Sequence, residues 1–145
     1  MKIYYLDEDP TVCASMHEDF ALSAVPLQYA QILSTVHRLL DGTTWRGVNR
    51  LGWDISTSFM QDPFMQEKLL KSLGSENTPV KWTCESQANY DWLMKLWIQV
   101  CLEYARRFDD EPPGTFVELA YVLHLAPQNI NKEGKLEFPS PEKAP

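Results

Sequence analysis

The chain has 145 residues, of which 44% are hydrophobic, and a net charge of −7. This size favours a single domain with one core, and no uninterrupted apolar run approaches the ~20 residues of a membrane span. The acidic balance argues against a surface that grips duplex DNA through many phosphates, because such binding depends on Lys and Arg displacing condensed counterions.

The N-terminal segment and the cysteines indicate the compartment. Residues 1–6 run directly into Asp7-Glu8-Asp9, which a secretory signal would not tolerate, so we expect a cytoplasmic protein. The three cysteines are widely spaced and include no CxxC, so neither a disulfide framework nor a zinc site is indicated. We interpret them as reduced, mostly buried thiols: Cys13, Cys84 and Cys101. The acidic triplet could bind a divalent cation, but helix capping and solvation are favoured. No metal or cofactor is predicted.

The first helix is predicted over residues 10–22, after an edge strand or extended arm at residues 2–6. Asp9 can cap this helix and Pro10 suits its first turn. His17 and Asp19 fall on opposite flanks, so a regular helix could not direct both at one ligand. A second helix is predicted over 26–40. On it Gln31, Ser34 and Arg38 lie opposite the apolar arc.

On that second helix, His37 lies next to Ala30 at the boundary between the apolar arc and the polar side. It is either a partly buried, hydrogen-bonded side chain or a group that faces a cleft. Residues 43–62 have no clean period and are predicted to form an irregular segment, and long irregular loops are often functional. Three arginines around Trp45 are either phosphate contacts or ordinary solvated loop residues: Arg38, Arg46 and Arg50.

Three further helices are predicted in the rest of the chain. A short helix covers residues 62–73, a connector follows at 75–83, and a long helix covers 86–108 with apolar residues at i, i+3, i+4 and i+7. A last helix covers 115–125. Three residues of the long helix lie outside its main stripe and need cover from another element or from a second copy in a dimer: Trp92, Ile98 and Leu102.

The predicted fold is therefore all-α. It is a compact single-domain bundle of four or five helices over residues 1–126, with a short extended N-terminal arm. Residues 127–145 contain Pro139, Pro141 and Pro145, so they are predicted to form an extended tail that is either draped on the body or disordered. No GxxxxGK[ST], GxGxxG, HExxH or GxSxG motif is present.

The order of several short motifs resembles a family of small bacteriophage proteins that are similar to pyrimidine-dimer DNA glycosylase of the endonuclease V type. The motifs span about residues 1–108 and are the following: residues 2–10, His17-x-Asp19, residues 30–38, Asn89-Tyr90-x-Trp92-Leu93 and Glu103-Tyr104-x-x-Arg107. The resemblance implies a compact helical fold, base flipping, and a Schiff base formed by the α-amine of Met1 with help from a glutamate.

The chain departs from that pattern where the family carries charge. Residues 21–26 contain no carboxylate, and the two lysines, the histidine and the glutamate of the phage pattern are replaced by Phe20, Ala24, Ala21 and Gln28. These replacements remove phosphate-binding charge and acid-base capacity. The matching polar positions are candidates for a ligand pocket: His17, Asp19, Gln31, His37 and Asn89.

Three functional hypotheses follow. The first is a phage protein with a glycosylase-like scaffold that binds a nucleobase or nucleotide, with lost or altered lyase chemistry. The second is an acidic phage protein that binds and inhibits a host defence or DNA-repair protein in the host cytoplasm. The third is an intact DNA glycosylase/lyase. None of them calls for a membrane.

Overall fold

The structure, a computed structural model, describes residues 2–138. The all-α prediction is wrong, because a two-stranded antiparallel sheet accompanies seven helices in that part of the chain. The elements are α1 (Pro10–Ser15), α2 (Asp19–Leu22), α3 (Val25–Asp41), β1 (Thr43–Val48), β2 (Asp54–Phe59), α4 (Pro63–Lys68), α5 (Thr78–Cys84), α6 (Gln87–Phe108) and α7 (Thr115–Leu123).

The core forms where α3 packs against α5 and α6. These helices were predicted from the apolar period, except α5, which lies in the segment predicted to be a connector. Asn77 caps α5 by accepting a hydrogen bond from the backbone N–H of Val80, and Pro79 lies in its first turn. Trp97 of α6 is fully buried and donates its indole N–H to the carbonyl of Pro26 at 2.8 Å. This bond fixes the start of α3 against the middle of α6.

The predicted helix over 10–22 is broken into α1 and α2. The break has a physical cause, since Arg107 of α6 donates to the carbonyls of Ser15 (2.9 Å) and His17 (2.5 Å). A carbonyl oriented towards Arg107 is poorly aligned to accept the helical hydrogen bond from four residues later. The 10–22 prediction is therefore wrong at residues 16–18, where a side chain 90 residues away decides the backbone.

A β-hairpin replaces the irregular segment predicted at residues 43–62. Its strands are rich in β-branched and aromatic residues, and the register pairs Thr43 with Phe59 and Val48 with Asp54. Asn49 organises the turn, because its side-chain oxygen accepts from the N–H groups of Leu51 and Trp53. Gly52 adopts a φ of 83°, a conformation that favours glycine.

The short helix predicted over 62–73 ends at Lys68. Asp62 caps its start by accepting from the backbone N–H of Phe64 at 2.9 Å. Beyond Lys68 the chain is extended, because the carbonyls of Leu69 and Leu70 bond to Arg38 instead of continuing the helix. The hydroxyl of Thr35 accepts from the N–H of Leu73 and holds the same stretch against α3.

The chain after α7 lies against the body without regular secondary structure as far as Phe138. Asp41 accepts hydrogen bonds from the backbone N–H groups of Gln128 and Asn129, and the carbonyl of Glu137 accepts from the indole of Trp82 at 2.7 Å. The draped alternative therefore describes residues 127–138. Pro139, Pro141 and Pro145, like Met1, lie outside the described residues.

The second apolar surface predicted on α6 divides into two parts. Trp92 is buried in an aromatic cluster with Tyr5, Trp82 and Phe138. Ile98 and Leu102, by contrast, are 41% and 59% exposed and line a groove between α6 and α7. Of the three residues predicted to need cover, only Ile98 and Leu102 are therefore accessible to a partner.

Candidate functional site

His17 joins three parts of the N-terminal region. It is buried, its Nδ1 lies 2.8 Å from the carbonyl of Cys13, and its Nε2 lies 2.9 Å from the hydroxyl of Tyr29. That hydroxyl also accepts from the backbone N–H of Tyr4. Burial lowers the pKa of His17 and keeps the ring neutral. These hydrogen bonds connect the N-terminal arm and α1 to α3.

Asp19 lies beside Arg107. The guanidinium contacts the carboxylate of Asp19 at 3.2 Å and that of Glu103 at 2.9 Å, in addition to the two carbonyls at the break between α1 and α2. The two charged residues of the Glu103-Tyr104-x-x-Arg107 motif therefore stabilise the break between α1 and α2. Asp19 itself is exposed.

His37 is buried between α3 and α6. The hydroxyl of Tyr90 donates to the carbonyl of Leu123 at 2.7 Å, so it accepts from Nε2–H of His37 at 2.8 Å. The Nδ1 atom has no partner among the described residues. Burial lowers the pKa of His37 to about 4, although the carboxylate of Asp41 acts in the opposite direction. Of the two interpretations from sequence, the structure fits the buried side chain.

Asn89 and Gln31 occupy other places in the fold. The Asn89 amide donates to the carbonyl of Trp82 at 2.8 Å and accepts from the N–H of Glu137, so it joins α5 to the C-terminal segment. Gln31 is half-buried on α3, and its carbonyl accepts from the hydroxyl of Thr35. The structure does not gather His17, Asp19, Gln31, His37 and Asn89 around the cleft described next.

A polar cleft of about 670 Å³ opens between the hairpin, the end of α3 and the segment after α4. This volume is in the range of small-molecule sites, about 300–1,000 Å³. The twelve lining residues include three cations and five hydroxyl side chains but no carboxylate. They are Arg38, Leu39, Thr44, Arg46, Ser56, Ser58, Gln66, Lys71, Ser72, Leu73, Gly74 and Ser75.

The pairing of the hairpin explains why its polar residues face the cleft together. Thr44 pairs directly with Ser58, and Arg46 pairs with Ser56. Because side chains alternate along a strand, these four project from the same face of the sheet. The sequence order alternates polar with apolar residues, and that alternation is the pattern that could have predicted both the hairpin and this face.

Arg38 forms the floor of the cleft. Only 5% of the residue is exposed, and its guanidinium donates to the carbonyls of Leu69 and Leu70 and to the side-chain oxygen of Gln66. Among the described residues, no carboxylate lies within 4.0 Å of it. The guanidinium is therefore stabilised by hydrogen bonds to neutral oxygen atoms, and no negative charge neutralises it.

Gln66 connects that floor to the hairpin. The same side-chain oxygen that accepts from Arg38 also accepts from the backbone N–H of Met60 at 2.8 Å, directly after β2. The cation and the polar face of the hairpin are therefore positioned by one side chain. Lys71 and Arg46 are exposed at the mouth, and within the described chain neither forms an ion pair.

Two of the three predicted phosphate contacts thus line this cleft. Arg50 lies in the turn of the hairpin and is not among its lining residues. Lys71, Ser72 and Ser75 were missed, because nothing in their local sequence distinguishes them from an ordinary connector. They reach the cleft only because Arg38 and Thr35 hold the segment after α4 against α3.

The cysteines provide no activated nucleophile. Burial raises the pKa of Cys84 to about 11 and that of Cys101 to about 12, and it raises the pKa of Cys13 as well. Such thiols are protonated at neutral pH and react slowly. Among residues 2–138, no group of three or more His, Cys, Asp or Glu side chains has the arrangement of a metal site. Asp7 and Asp9 instead bond to backbone N–H groups at the start of α1.

In comparisons with known proteins, no family model, no curated protein and no solved structure matches this chain. The resemblance to glycosylase-like phage proteins therefore stays a prediction. None of the helices within the described residues combines the length and hydrophobicity that crossing a bilayer requires.

Proposed function

We propose that the protein binds a phosphate-bearing small molecule, of which a nucleotide is the best match, in the cleft between the hairpin and α3. One observation carries the proposal: the lining of this cleft has three cations and five hydroxyl groups and no carboxylate, in a chain with a net charge of −7. Phosphate oxygens are acceptors, and Arg, Lys and hydroxyl donors are their usual partners in proteins.

The cleft favours binding over catalysis. Its lining contains no His, Cys, Asp or Glu, which are the commonest general bases, and no such base lies beside its serine hydroxyls to activate them. The phage scaffold with lost or altered lyase chemistry, predicted from the resemblance, is compatible with this binding role. The α-amine of Met1, on which intact lyase chemistry would depend, lies outside the described residues.

Removing both exposed cations of the cleft is expected to weaken nucleotide binding by at least about tenfold per residue, since charge-assisted hydrogen bonds contribute about 1.5–3 kcal/mol. The variants are Arg46→Met, Lys71→Met and their combination. Isothermal titration with nucleoside monophosphates and with inorganic phosphate measures the dissociation constants. Unmodified nucleosides are expected to bind more weakly than their monophosphates.

Lys95→Met provides the matched control. Lys95 is exposed on α6 and does not line the cleft, so this change removes the same charge from another surface. Equal losses from Lys95→Met and Lys71→Met would indicate a general effect of net charge and would contradict the assignment of the cleft. So would monophosphates that bind no better than their nucleosides.

A second candidate, protein binding, is favoured by the groove between α6 and α7. This groove of about 480 Å³ is lined almost entirely by apolar side chains, and Val117 on α7 is exposed beside Ile98 and Leu102. Exposed apolar patches of this kind are typical of protein-protein contacts. The occupant is either a host protein or a second copy of the chain.

Leu102→Asp is expected to abolish such an association, because it places a charge in the centre of the apolar groove. Light scattering tests self-association, and capture from host lysate followed by identification tests the host partner. Lys95→Asp, outside the groove on the same helix, is the control. If Leu102→Asp changes neither measurement, the groove is not the interface.

A further inference from the structure

The indole ring of Trp45 is seated on the backbone of its own strand. A Cβ atom at position 47 would overlap two atoms of the six-membered ring and lie 3.1 Å from a third, so the ring occupies the space left by Gly47. Although its ring packs against Gly47, 49% of Trp45 is exposed. One part of the ring is therefore fixed against the sheet, and another is presented to solvent.

Trp45 belongs to a face of the hairpin whose large apolar side chains are exposed. The alternation along the strands places Trp45 on the face opposite Arg46, and two further exposed residues lie on the face of Trp45: Ile55 and Phe59. Trp53, directly before β2, is exposed as well. A two-stranded sheet is only marginally stable by itself in water. An exposed apolar face of this composition indicates a binding surface.

The charges beside this face favour an anionic partner. Arg46 follows Trp45 directly and Arg50 lies in the turn, and neither forms an ion pair in the described part of the chain. The only acid within residues 43–59 is Asp54, which lies on the face of Arg46 and lines a shallow pocket with it, but the two side chains form no ion pair. Within residues 2–138, β1 pairs with β2 alone, so its other edge is open and a ligand that crosses it can contact both faces.

We propose that Trp45, seated on Gly47, stacks on an unpaired base of a single-stranded polynucleotide whose backbone crosses the open edge of β1 to Arg46. Aromatic side chains beside a positively charged groove bind single strands in this way, without reading their sequence. This inference rests on the proposed phosphate binding, with which it shares Arg46, and it extends the ligand from a nucleotide to a polymer.

The packing of the Trp45 ring against Gly47 favours a nucleobase over a lipid surface as the ligand. A planar base gains from a ring whose orientation is fixed, since stacking depends on parallel faces. An acyl chain requires apolar area and no particular orientation. Gly47 is the residue that permits the fixed orientation, so position 47 should affect binding although it contributes no side chain.

Trp45→Leu is expected to weaken binding of an oligothymidylate of about 12 nucleotides by about tenfold, a typical loss for one stacked base. Quenching of tryptophan fluorescence and fluorescence anisotropy of a labelled oligonucleotide measure the affinity. Trp45→Phe retains an aromatic face and should retain more of the affinity than Trp45→Leu. Gly47→Ala should weaken binding by displacing the ring, and thermal melting verifies that each variant is folded.

Trp53→Leu is the control, because Trp53 is an exposed tryptophan of the same hairpin whose ring is not held against a glycine. This substitution is expected to weaken oligonucleotide binding less than Trp45→Leu does. Equal affinity of the Trp45→Leu and wild-type proteins would overturn the proposal. So would equal losses from Trp45→Leu and Trp53→Leu, no binding of the oligonucleotide, or binding of phosphatidylglycerol vesicles in its place. If monophosphates still bind in a manner that depends on Lys71, such a failure leaves the proposed function of the cleft intact.

Discussion

Arg38→Met is expected to lower the free energy of unfolding by about 3 kcal/mol, because it leaves buried acceptors without donors, each at a cost of about 1–3 kcal/mol. The carbonyls of Leu69 and Leu70 both lose their bond to the guanidinium. Gln66 retains its bond to the N–H of Met60 but loses its cation. Urea denaturation at neutral pH measures the change.

Arg46→Met separates this structural role from ligand binding. This substitution also removes an arginine from the cleft, but Arg46 is exposed. The free energy of unfolding of the Arg46→Met variant should therefore remain within about 0.5 kcal/mol of the wild-type value. Nucleotide binding should fall in both variants. A wild-type unfolding midpoint for Arg38→Met would show that the buried guanidinium does not hold the segment after α4.

The longest helices were predictable because their apolar residues repeat over several turns. The pattern of α6 predicted residues 86–108, and the structure has Gln87–Phe108. The prediction for 10–22 failed because it used only local residues. Arg107, which lies on α6, donates hydrogen bonds to the carbonyls of Ser15 and His17. The spacing of apolar residues within 10–22 gives no indication of these bonds.

The hairpin was predictable in part. Its strands alternate, and Asn49 with Gly52 provides the turn chemistry. The segment was instead interpreted through its glycines and tryptophans as irregular. Gly47 was the misleading residue: a glycine within a strand usually weakens it, but here it provides space for the ring of Trp45.

The candidate site was predictable only where the sequence placed cations close together. Arg38 and Arg46 line the cleft, whereas Lys71 lies on a segment brought there by tertiary hydrogen bonds. The polar residues that carry the resemblance have a different role in the described fold. His17, Asn89 and Arg107 each connect elements that are distant in sequence, and such buried polar links specify how elements meet.

The protein is expected to lose stability as the pH falls from 6.5 to 4, and His37 is expected to cause much of this loss. The pKa of His37 is about 4 in the folded state against an ordinary value of 6.5. Below pH 6.5 the unfolded chain therefore binds a proton that the folded protein does not, and stability falls until the folded pKa is reached. The loss should be on the order of 2–3 kcal/mol by pH 4.

His37→Gln tests this assignment, because glutamine can donate to the hydroxyl of Tyr90 but does not titrate. Urea denaturation at pH 7 and pH 5 should show a smaller difference for His37→Gln than for the wild type. His17, whose pKa burial also lowers, contributes to the remaining slope. Carboxylates such as Glu103, whose pKa Arg106 lowers, contribute mainly below their ordinary value of 4.5, so the pH range above 5 isolates the histidines. An unchanged slope in His37→Gln would contradict the assignment of this pH dependence to His37.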